Sequence, residues 1–447
     1  MKSPKLALQT GKQKFLKIFT KVINDDMKSR SVTRRKVSAS SPTTEKIVDN
    51  LWCDDMVVDE GVFCEEEIVP RIDFLSNLPY EVASYILMFS DFRALCTASL
   101  VSKNWYVIAN DNEIWRYMFS QRKTWKVSIP RNILLSRSIN WKKLYMNRRK
   151  LDNRWKDGDC TSTYLRGHSD SVYCIQFDEE KIVTGSRDKT IKFWNIKSGQ
   201  CIKTLTGHCA SVLCLQYNDE IMVTGSSDTT IIVWSMIDYS IIRRLRGHSM
   251  GVLDICFDTK YIVSCSKDHR IKVWDVHTGD LIRTLIGHRG PVNAVQLKDD
   301  KIISASGDAF IKLWDVETGR CIRDFTGHTG GLACVQFDGK WIVSGSNDRS
   351  IRVWDVNTGQ CVRTLEGHSG LVRTLHFDED KIVSGSYDQS VKVWDLKTGK
   401  QLLDFKNGHT SWVFDVQFSA TKIVSSSQDT RIVINDFAGD LDTKYFV

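Results

Sequence analysis

Short runs in which hydrophobic and polar residues alternate fill the chain after Cys160. One group reads SVYCIQF, then KIVTGS, then TIKFW, with turn-forming residues between the runs. A period of two is typical of β-strands with one buried face, and it differs from the spacing of a helix. Pro291 is the only proline after Cys160, as suits regular strands inside a sheet. The pattern predicts an all-β domain of many short strands.

The group of three runs is repeated along the chain. A Gly-His pair precedes each copy, with five spacings of 40 residues and a last one of 41: Gly167-His168, Gly207-His208, Gly247-His248, Gly287-His288, Gly327-His328, Gly367-His368 and Gly408-His409. Most copies also carry a hairpin-turn glycine: Gly199, Gly279, Gly319, Gly359 and Gly399. The second copy has SMIDYS there instead. Repeats of this length indicate units that stack against one another.

Between Ile72 and Lys156 the hydrophobic spacing is helical instead. We predict a helix after Pro79, which suits a first helical turn, a second over Leu95 to Ala109 and a third around Trp115. Three short helices bury too little core by themselves, so they should need another surface to cover their apolar side.

A longer pattern over Trp141 to Trp155 predicts an amphipathic helix rich in Lys and Arg, which is typical of a solvated spacer. The predicted organisation is then a disordered tail over 1–70, a helical module over 72–119, a helical linker over 120–158 and the all-β domain over 160–447.

The net charge is concentrated in the tail. Its first fifty residues hold twelve Lys and Arg against four Asp and Glu, so residues 51–447 balance at fifty against fifty. A basic tail on a neutral body argues against nucleic-acid binding by the folded part. The stretch KFLKIFTKVI has one apolar helical face, which could dock on a partner or a membrane surface or be a nascent helix with no role.

The thirteen cysteines are an odd number without a CxxC pair. No hydrophobic run reaches membrane-spanning length, and the N-terminus lacks an apolar segment followed by a cleavage site. We therefore expect an intracellular protein of the cytoplasm or nucleus, without membrane association, whose cysteines are small core residues.

The repeat resembles the WD40 signature, in which Gly-His is followed by an Asp and then by Trp-Asp. Trp274-Asp275, Trp314-Asp315, Trp354-Asp355 and Trp394-Asp395 match it fully, whereas the seventh copy has Ile434-Asn435. The resemblance implies a seven-bladed propeller in which Cys160 to Arg166 supplies the outer strand of the last blade. It also implies a hydrogen-bonded frame in each blade, made of His, Asp, Ser/Thr and Trp, with blade seven the weakest.

Seven His and seven Asp could suggest a metal or acid–base site. Metal ligands must converge on one point, whereas these residues recur once per blade around a ring, so we interpret them as structural. The chain also lacks a phosphate-binding glycine loop and a nucleophile motif. We expect no catalysis, no cofactor and no metal.

The segment over about Ile72 to Phe119 resembles an F-box. The matching residues are Leu78, Pro79, Glu81, Ile86, Leu87, Leu95, Val101, Ser102, Trp105 and Trp115. In that family the F-box binds the adaptor Skp1, and the resemblance assigns that contact to Leu78, Pro79, Ile86, Leu87, Leu95, Val101 and Trp105.

An F-box followed by WD40 repeats resembles the substrate receptors of cullin–RING (SCF) ubiquitin ligases. The implied partners are Skp1, a cullin and phosphorylated protein substrates, and a homodimer is compatible with the sequence. The alternative is a WD40 scaffold without a ligase role. A propeller that binds RNA or chromatin would need a basic stripe on the body, which the balanced charge disfavours.

Two positions per repeat vary while the frame stays fixed, and WD40 folds place both on the rim of the propeller. The residue before the Asp runs Arg187, Ser227, Lys267, Gly307, Asn347, Tyr387, Gln428. The third residue of the first run is Tyr173, Leu213, Leu253, Asn293, Ala333, Arg373, Phe414. These fourteen rim residues include three cations and no carboxylate, which predicts an anionic ligand such as a phosphopeptide. Ordinary solvated surface residues are the alternative.

The rim is similar to that of the beta-transducin-repeat-containing F-box proteins, which bind doubly phosphorylated degrons. By position, the resemblance assigns peptide contacts to Tyr173, Arg187, Ser211, Ser227, Leu253, Lys267, Asn293, Gly331, Ala333, Arg373 and Tyr387, and the rim pattern adds Phe414. Gly330 and Trp412 stand where that family usually has arginine, so one phosphate site should differ. A fungal branch of F-box/WD40 receptors, which acts in nutrient control, fits the same features.

Overall fold

The structure is a computed structural model, and it describes residues 73–122, 124–131, 134 and 139–446. The predictions for the tail therefore lie outside the described residues. The chain divides into two compact units, one ending at Arg148 and the other spanning Arg149–Tyr445. Within the described ranges, no helix combines the length and the apolar character needed to span a membrane.

The first unit is helical. Its helices are α1 (Tyr80–Met88), α2 (Phe92–Ala98), α3 (Lys103–Ala109) and α4 (Asn112–Ser120), and α5 (Trp141–Asp157) begins in it. Side-chain caps start α2, α3 and α4: Asp91 accepts from the N–H of Ala94, Ser102 from Trp105 and Asp111 from Glu113.

The prediction of one helix over Leu95 to Ala109 was wrong. The backbone leaves the helix after Ala98, and Ser102 adopts the extended conformation of a cap before α3 begins. A serine inside an apolar pattern can cap and so begin a new helix, and here the cap at Ser102 divides a stretch whose hydrophobic spacing suggested one continuous helix.

Helix α5 is not the solvated spacer that its charge suggested. One face is buried, with at most 6% exposure at each of four residues: Leu144, Tyr145, Leu151 and Trp155. In the second unit, Trp155 stacks on Phe437 with ring centroids 4.0 Å apart, and its indole N–H donates to the carbonyl of Ala420 at 2.9 Å. Lysines and arginines occupy the remaining faces because their long side chains can cover apolar surface and still reach water.

The second unit contains seven four-stranded antiparallel sheets. In chain order the strands are β1 (Thr161–Leu165); β2 (Val172–Phe177), β3 (Lys181–Ser186), β4 (Thr190–Asn195), β5 (Cys201–Thr206); β6 (Val212–Tyr217), β7 (Ile221–Ser226), β8 (Thr230–Ser235), β9 (Ile241–Arg246); β10 (Val252–Phe257), β11 (Tyr261–Ser266), β12 (Arg270–Asp275), β13 (Leu281–Ile286); β14 (Val292–Lys298), β15 (Lys301–Ser306), β16 (Ile311–Asp315), β17 (Cys321–Phe325); β18 (Leu332–Phe337), β19 (Trp341–Ser346), β20 (Ile351–Asp355), β21 (Cys361–Leu365); β22 (Val372–Phe377), β23 (Lys381–Ser386), β24 (Val391–Asp395), β25 (Gln401–Phe405); β26 (Val413–Phe418), β27 (Lys422–Ser427), β28 (Ile432–Asp436).

The ring closes through strand β1. Its order in the last sheet is β1-β28-β27-β26, and Thr163 pairs with Ile434 in an antiparallel ladder. The first strand of the domain therefore completes the seventh blade, and the predicted seven-bladed propeller with this closure is confirmed.

A hydrogen-bonded chain crosses each of the first six blades. In the first, His168 lies 2.7 Å from Asp188 through Nδ1 and 2.8 Å from the Thr184 hydroxyl through Nε2, and the Trp194 indole N–H donates to the same hydroxyl at 2.9 Å. The counterparts in blades two to six lie within 3.0 Å. These residues are structural, as predicted.

Blade seven lacks one member of this frame. Its His409–Ser425 contact is 2.8 Å long, but His409 lies 3.3 Å from Asp429. Asn435 pairs with Ile423 as Trp194 pairs with Ile182, so Asn435 occupies the position of the tryptophan, and the assignment of Ile434 to that position was wrong by one residue. Ser425 therefore receives no indole hydrogen bond, and the predicted absence of the tryptophan from this blade is confirmed.

In blade two, Tyr239 occupies the position in the hairpin turn that holds glycine in most other blades. Tyr239 adopts the left-handed φ of 64° that Gly199 has at 68° in blade one. Its ring packs against Phe193 at 4.9 Å with Lys203 over its face at 4.2 Å. These contacts offset the backbone strain of a left-handed tyrosine.

Candidate functional site

The turn that carries the first series of rim residues has the same backbone in every blade. The N–H of Arg187 donates to the carbonyl of Ser171 at 2.9 Å, and the residues equivalent to Arg187 repeat this bond in the other six blades. The N–H of Asp188 donates to the Ser186 hydroxyl, and Lys189 takes a left-handed φ of 71°. The frame thus fixes the backbone on both sides of Arg187 and leaves its side chain exposed.

The second series lines a single channel mouth. In each blade the strand register shifts around this position, as between Val172 and Cys174, so Tyr173 occupies a bulge. It is the second residue of the observed strand, one place earlier than the sequence run suggested. All seven residues of the series line one cavity of about 260 Å³: Tyr173, Leu213, Leu253, Asn293, Ala333, Arg373 and Phe414. The propeller therefore brings these residues together from seven distant parts of the chain.

The three predicted cations have different surroundings. Arg187 is exposed and lies 3.7 Å from the Asp170 carboxylate, whereas Lys267 is simply exposed. Arg373 is half-buried in the channel mouth, where it donates to the carbonyl of Ala333 at 3.1 Å. Asp170 was missed from the sequence because it belongs to neither variable position, although it lies in the turn just before the first strand.

Two carboxylates lie in the same channel as Arg373. Asp254 accepts from the N–H of Val295, and Asp415 accepts from the N–H of Ile175 and the Thr374 hydroxyl. Burial raises the pKa of Asp254 to about 7 and that of Asp415 to about 6, although these hydrogen bonds oppose the shift. Below neutral pH these two acids are therefore partly protonated, so they offset the charge of Arg373 less than two ionised carboxylates would. Acids inside otherwise apolar strands were the signal that could have found them.

Four aromatic rings form a cluster on blades six, seven and one. Tyr387 stacks on Trp412 with centroids 4.4 Å apart and planes at 5°. Phe414 lies 6.1 Å from Tyr387 and 4.8 Å from Tyr173. We call Tyr173, Tyr387, Trp412 and Phe414 the aromatic cluster.

The remaining predicted contact residues present less side chain. Ser227 is exposed and Ser211 half-buried, and the N–H of the first donates to the carbonyl of the second at 3.0 Å. Leu253 and Asn293 are half-buried in the channel, and Ala333 has 7% exposure. A Cβ at Gly331 would lie 2.9 Å from the carbonyl oxygen of Gly307, and one at Gly330 would lie 2.8 Å from the N–H nitrogen of Asp348. Neither glycine position has room for an arginine without a backbone shift.

Three of the seven predicted Skp1 contacts are buried inside the helical unit. Leu87 and Leu95 have 0% exposure and Trp105 has 5%, while Leu78, Ile86 and Val101 are half-buried and Pro79 is exposed. Trp105 donates its indole N–H to Asp73 at 2.7 Å. The apolar residues that face outward are their neighbours: Tyr80, Val82, Tyr85, Leu100, Tyr106 and Val107. The helices do leave apolar surface uncovered, and most of its exposed area comes from residues next to the matched ones along the chain.

Two known families match the chain. The F-box-like family matches residues 75–121. The family described as WD domain, G-beta repeat matches six stretches: 158–195, 199–235, 239–275, 279–315, 319–355 and 359–395. Strands β26 to β28 of the seventh blade lie outside these stretches, in line with its incomplete frame.

Curated relatives match over part of their length. A protein of Arthroderma otae named "Probable E3 ubiquitin ligase complex SCF subunit sconB" is 36% identical over an alignment of 164 residues, with a coverage of 30% of this chain and 24% of the relative. An F-box protein of Saccharomyces cerevisiae is 32% identical over an alignment of 159 residues, with a coverage of 30% of this chain and 25% of the relative. The matched stretch thus spans about a quarter of the length of these relatives.

Among solved structures, the computationally designed Ika8 protein is similar at a TM-score of 0.53 and 30% identity, covering 61% of this chain and 98% of that chain. The helical unit thus contains an F-box-like domain, the second unit is a seven-bladed WD40 propeller, and the chain belongs to the F-box/WD40-repeat proteins.

Proposed function

We propose that this chain is the substrate-recognition subunit of an SCF-type ubiquitin ligase. The helical unit binds the Skp1 adaptor and through it a cullin, and the propeller binds phosphorylated degrons and presents their proteins for ubiquitination and proteasomal degradation. The role requires binding only, so the chain itself is non-catalytic. The observation that carries the proposal is the convergence of variable residues, including Arg373, on one channel mouth of the propeller.

The chemistry of the mouth favours a phosphorylated ligand. Arginine and lysine match phosphate oxygens, and each charge-assisted hydrogen bond contributes about 1.5–3 kcal/mol. Arg187 and Lys267 are exposed on the first rim series, and Arg373 lies in the channel. A phosphate bound between such groups would replace its hydrogen bonds to water with hydrogen bonds to donors that the protein already holds in place, which lowers the entropic cost of binding.

The helical unit supports the adaptor part of the proposal. Its outward-facing apolar residues include Leu100 at 65% exposure and Val107 at 60%. Large apolar side chains grouped on one small unit mark a protein-binding surface. The names of the two fungal relatives describe one as a probable subunit of an SCF ubiquitin ligase complex and the other as an F-box protein.

Co-purification with Skp1 and a cullin tests the adaptor part. We expect the full chain to recover both, and Val107→Asp to reduce recovery by about tenfold or more because it puts a charge into an apolar interface. Ile237→Asp is the matched control, since Ile237 is 88% exposed in a propeller turn. If the wild-type chain recovers neither partner, the ligase proposal fails and a WD40 scaffold is the better description.

Binding of a phosphopeptide library to the full chain tests the receptor part. We expect Arg187→Glu, Lys267→Glu and Arg373→Gln each to weaken binding by roughly tenfold, the value of one charge-assisted contact. Glutamine replaces Arg373 because a third carboxylate beside Asp254 and Asp415 would also destabilise the fold. Lys197→Glu, at the opposite end of the first blade, is the control. Equal affinity for phosphorylated and unphosphorylated peptides would contradict an anion site.

A further inference from the structure

Trp412 is an unusually exposed aromatic residue on the rim. Its residue surface is 43% exposed, although its ring lies flat on Tyr387. Tryptophan is rarely left this accessible because its large apolar surface is costly in water. The stack holds the indole in one orientation, so the exposed part is preorganised for contact.

The backbone also fixes Trp412. Its carbonyl accepts the N–H of Gln428 at 3.0 Å, which is the same bond that positions Arg187 in blade one. Beside it, the Ser411 hydroxyl donates to the Gln428 side-chain oxygen at 2.8 Å. The side chains of Ser411 and Gln428 on this part of blade seven are therefore neutral and hydrogen-bonded to each other.

Positive charge flanks the other end of the aromatic cluster. Burial raises the pKa of the Tyr173 hydroxyl; the charges of Arg187 and Arg373 oppose this shift and that of Asp170 adds to it, so two cations and one carboxylate lie within interaction range of that ring. Tyr173 in turn contacts Phe414, and Phe414 contacts Tyr387. One chain of ring contacts thus runs from Tyr173, near the two arginines, through the buried ring of Phe414 to the Tyr387–Trp412 stack.

We propose that the propeller selects phosphopeptides that carry one phosphate on the Arg187 and Arg373 side and an aromatic side chain that stacks on Trp412. This inference rests on the proposed function and adds the chemistry of the residue near the phosphate. A flat, oriented indole extends its stack best with another ring, which also has few rotamers to lose on binding.

The charges on this surface disfavour the other ligands. A lysine or arginine of the peptide on the aromatic cluster would be repelled by Arg187 and Arg373, which outweighs a modest cation–π attraction at an exposed site. A second phosphate at Trp412 would meet rings and the neutral pair Ser411 and Gln428. An aliphatic side chain can lie on the indole but gains only the burial of its area.

The test uses the full chain and an array of synthetic phosphoserine peptides. Each position on either side of the phosphoserine carries in turn tyrosine, proline, leucine, lysine or a second phosphoserine, and binding is measured by fluorescence anisotropy at fixed salt. We expect tyrosine near the phosphate to bind roughly fivefold to tenfold tighter than leucine at the same position, the effect of one aromatic contact.

Variants at Trp412 separate stacking from a general structural role. Trp412→Ala should abolish the preference for tyrosine and change the affinity of the leucine peptide by less than about twofold. Trp412→Phe should keep most of the preference for tyrosine. Equal weakening of all peptides by Trp412→Ala, a preference for the second phosphoserine, or no preference at all would overturn the inference.

The proposed function and this inference can fail separately. If phosphorylated peptides bind better than unphosphorylated ones and Arg187→Glu weakens them, but Trp412→Ala has no selective effect, only the inference is wrong. If phosphorylation makes no difference to any peptide, the proposed function is wrong and the inference falls with it.

Discussion

Neighbouring residues of one tight turn have opposite roles. Asp188 is held by His168 and Thr190 inside the frame, while Arg187, one residue earlier, is exposed on the rim. Burial alone would raise the pKa of Asp188, but the hydrogen bonds from Thr190 and His168 outweigh it and lower the pKa to about 2. The aspartate is therefore ionised at all physiological pH values and cannot be exchanged for a ligand contact, whereas the arginine is free to vary between blades.

Asp170 should compete with the phosphate of a bound ligand for Arg187. Its carboxylate lies 3.7 Å from Arg187, so a phosphate must share or displace it. Asp170→Asn keeps the side-chain oxygen that caps the N–H of Ser171 and removes the negative charge. We expect phosphopeptide affinity to rise by roughly twofold to fivefold, the size of one exposed ion-pair contribution.

Anisotropy titration of Asp170→Asn against the wild-type chain measures this change. Asp170→Asn combined with Arg187→Gln is the control, since the gain should vanish once the arginine is absent. A gain that persists without Arg187 would show that Asp170 acts through the general field of the rim.

The blade is the element on which stability depends. Each blade repeats the same four strands and frame, so its stability is largely its own plus that of the contacts with its two neighbours. Blade seven departs from this regularity, because Ser425 has no indole partner and the His409–Asp429 contact is long.

Trp394→Phe should weaken blade six toward the level of blade seven. The substitution removes the indole N–H that donates to Ser384 at 2.8 Å and leaves a small cavity at a residue with 1% exposure. We expect a loss of about 2–4 kcal/mol from the missing hydrogen bond and the cavity together.

Hydrogen exchange resolved by strand checks this prediction. In the wild-type chain, amides of β26 to β28 should exchange faster than those of β22 to β24, and Trp394→Phe should raise the rates of β22 to β24. Ile434→Val in blade seven is a control that shortens a side chain without removing a hydrogen bond. Uniform exchange across all blades in the variant would mean that the ring unfolds as one unit.

At the scale of the whole molecule, the ring is closed by residues far apart in sequence. Strand β1 pairs with β28, and Asp415 of the last blade accepts a hydrogen bond from Ile175 of the first. A ring that is closed in this way has no exposed end where unfolding could begin, so its blades protect one another.

The repeated aspartates make the propeller sensitive to acid. Burial acts to raise the pKa values of Asp188, Asp228 and Asp429 in the frame, but hydrogen bonds outweigh it and lower them to about 2. The folded state thus binds fewer protons than the unfolded state between about pH 4 and pH 2. The stabilisation is complete above about pH 4 and is lost as the pH falls toward about 2.

We therefore expect the melting temperature to fall steeply below about pH 4, since the pKa of the frame aspartate is lowered in all seven blades. Circular dichroism melts at about pH 5, 4 and 3 measure this loss. Asp188→Asn should lower the melting temperature at about pH 5 and flatten the profile by one blade's share. A profile that is equally steep in the variant would locate the acid sensitivity outside the frame.

The sequence by itself determined the propeller and its frame. The 40-residue period, the alternation within each run and the recurrent His, Asp, Ser/Thr and Trp are local or nearest-neighbour features, so they carry the same meaning in every copy. The variable rim positions followed from the same comparison of copies, and the structure gathers one series, including Arg373, around a single channel.

Only the tertiary structure decided the contacts between residues distant along the chain. Asp254, Asp415 and Arg373 line one channel because the first strands of different blades surround it, and Trp412 stacks on Tyr387 because blades six and seven are neighbours. The same holds for the helical unit, where Leu87 and Leu95 turned inward. An apolar residue at helical spacing can face either the core or a partner, and periodicity alone does not distinguish the two faces until the helices pack.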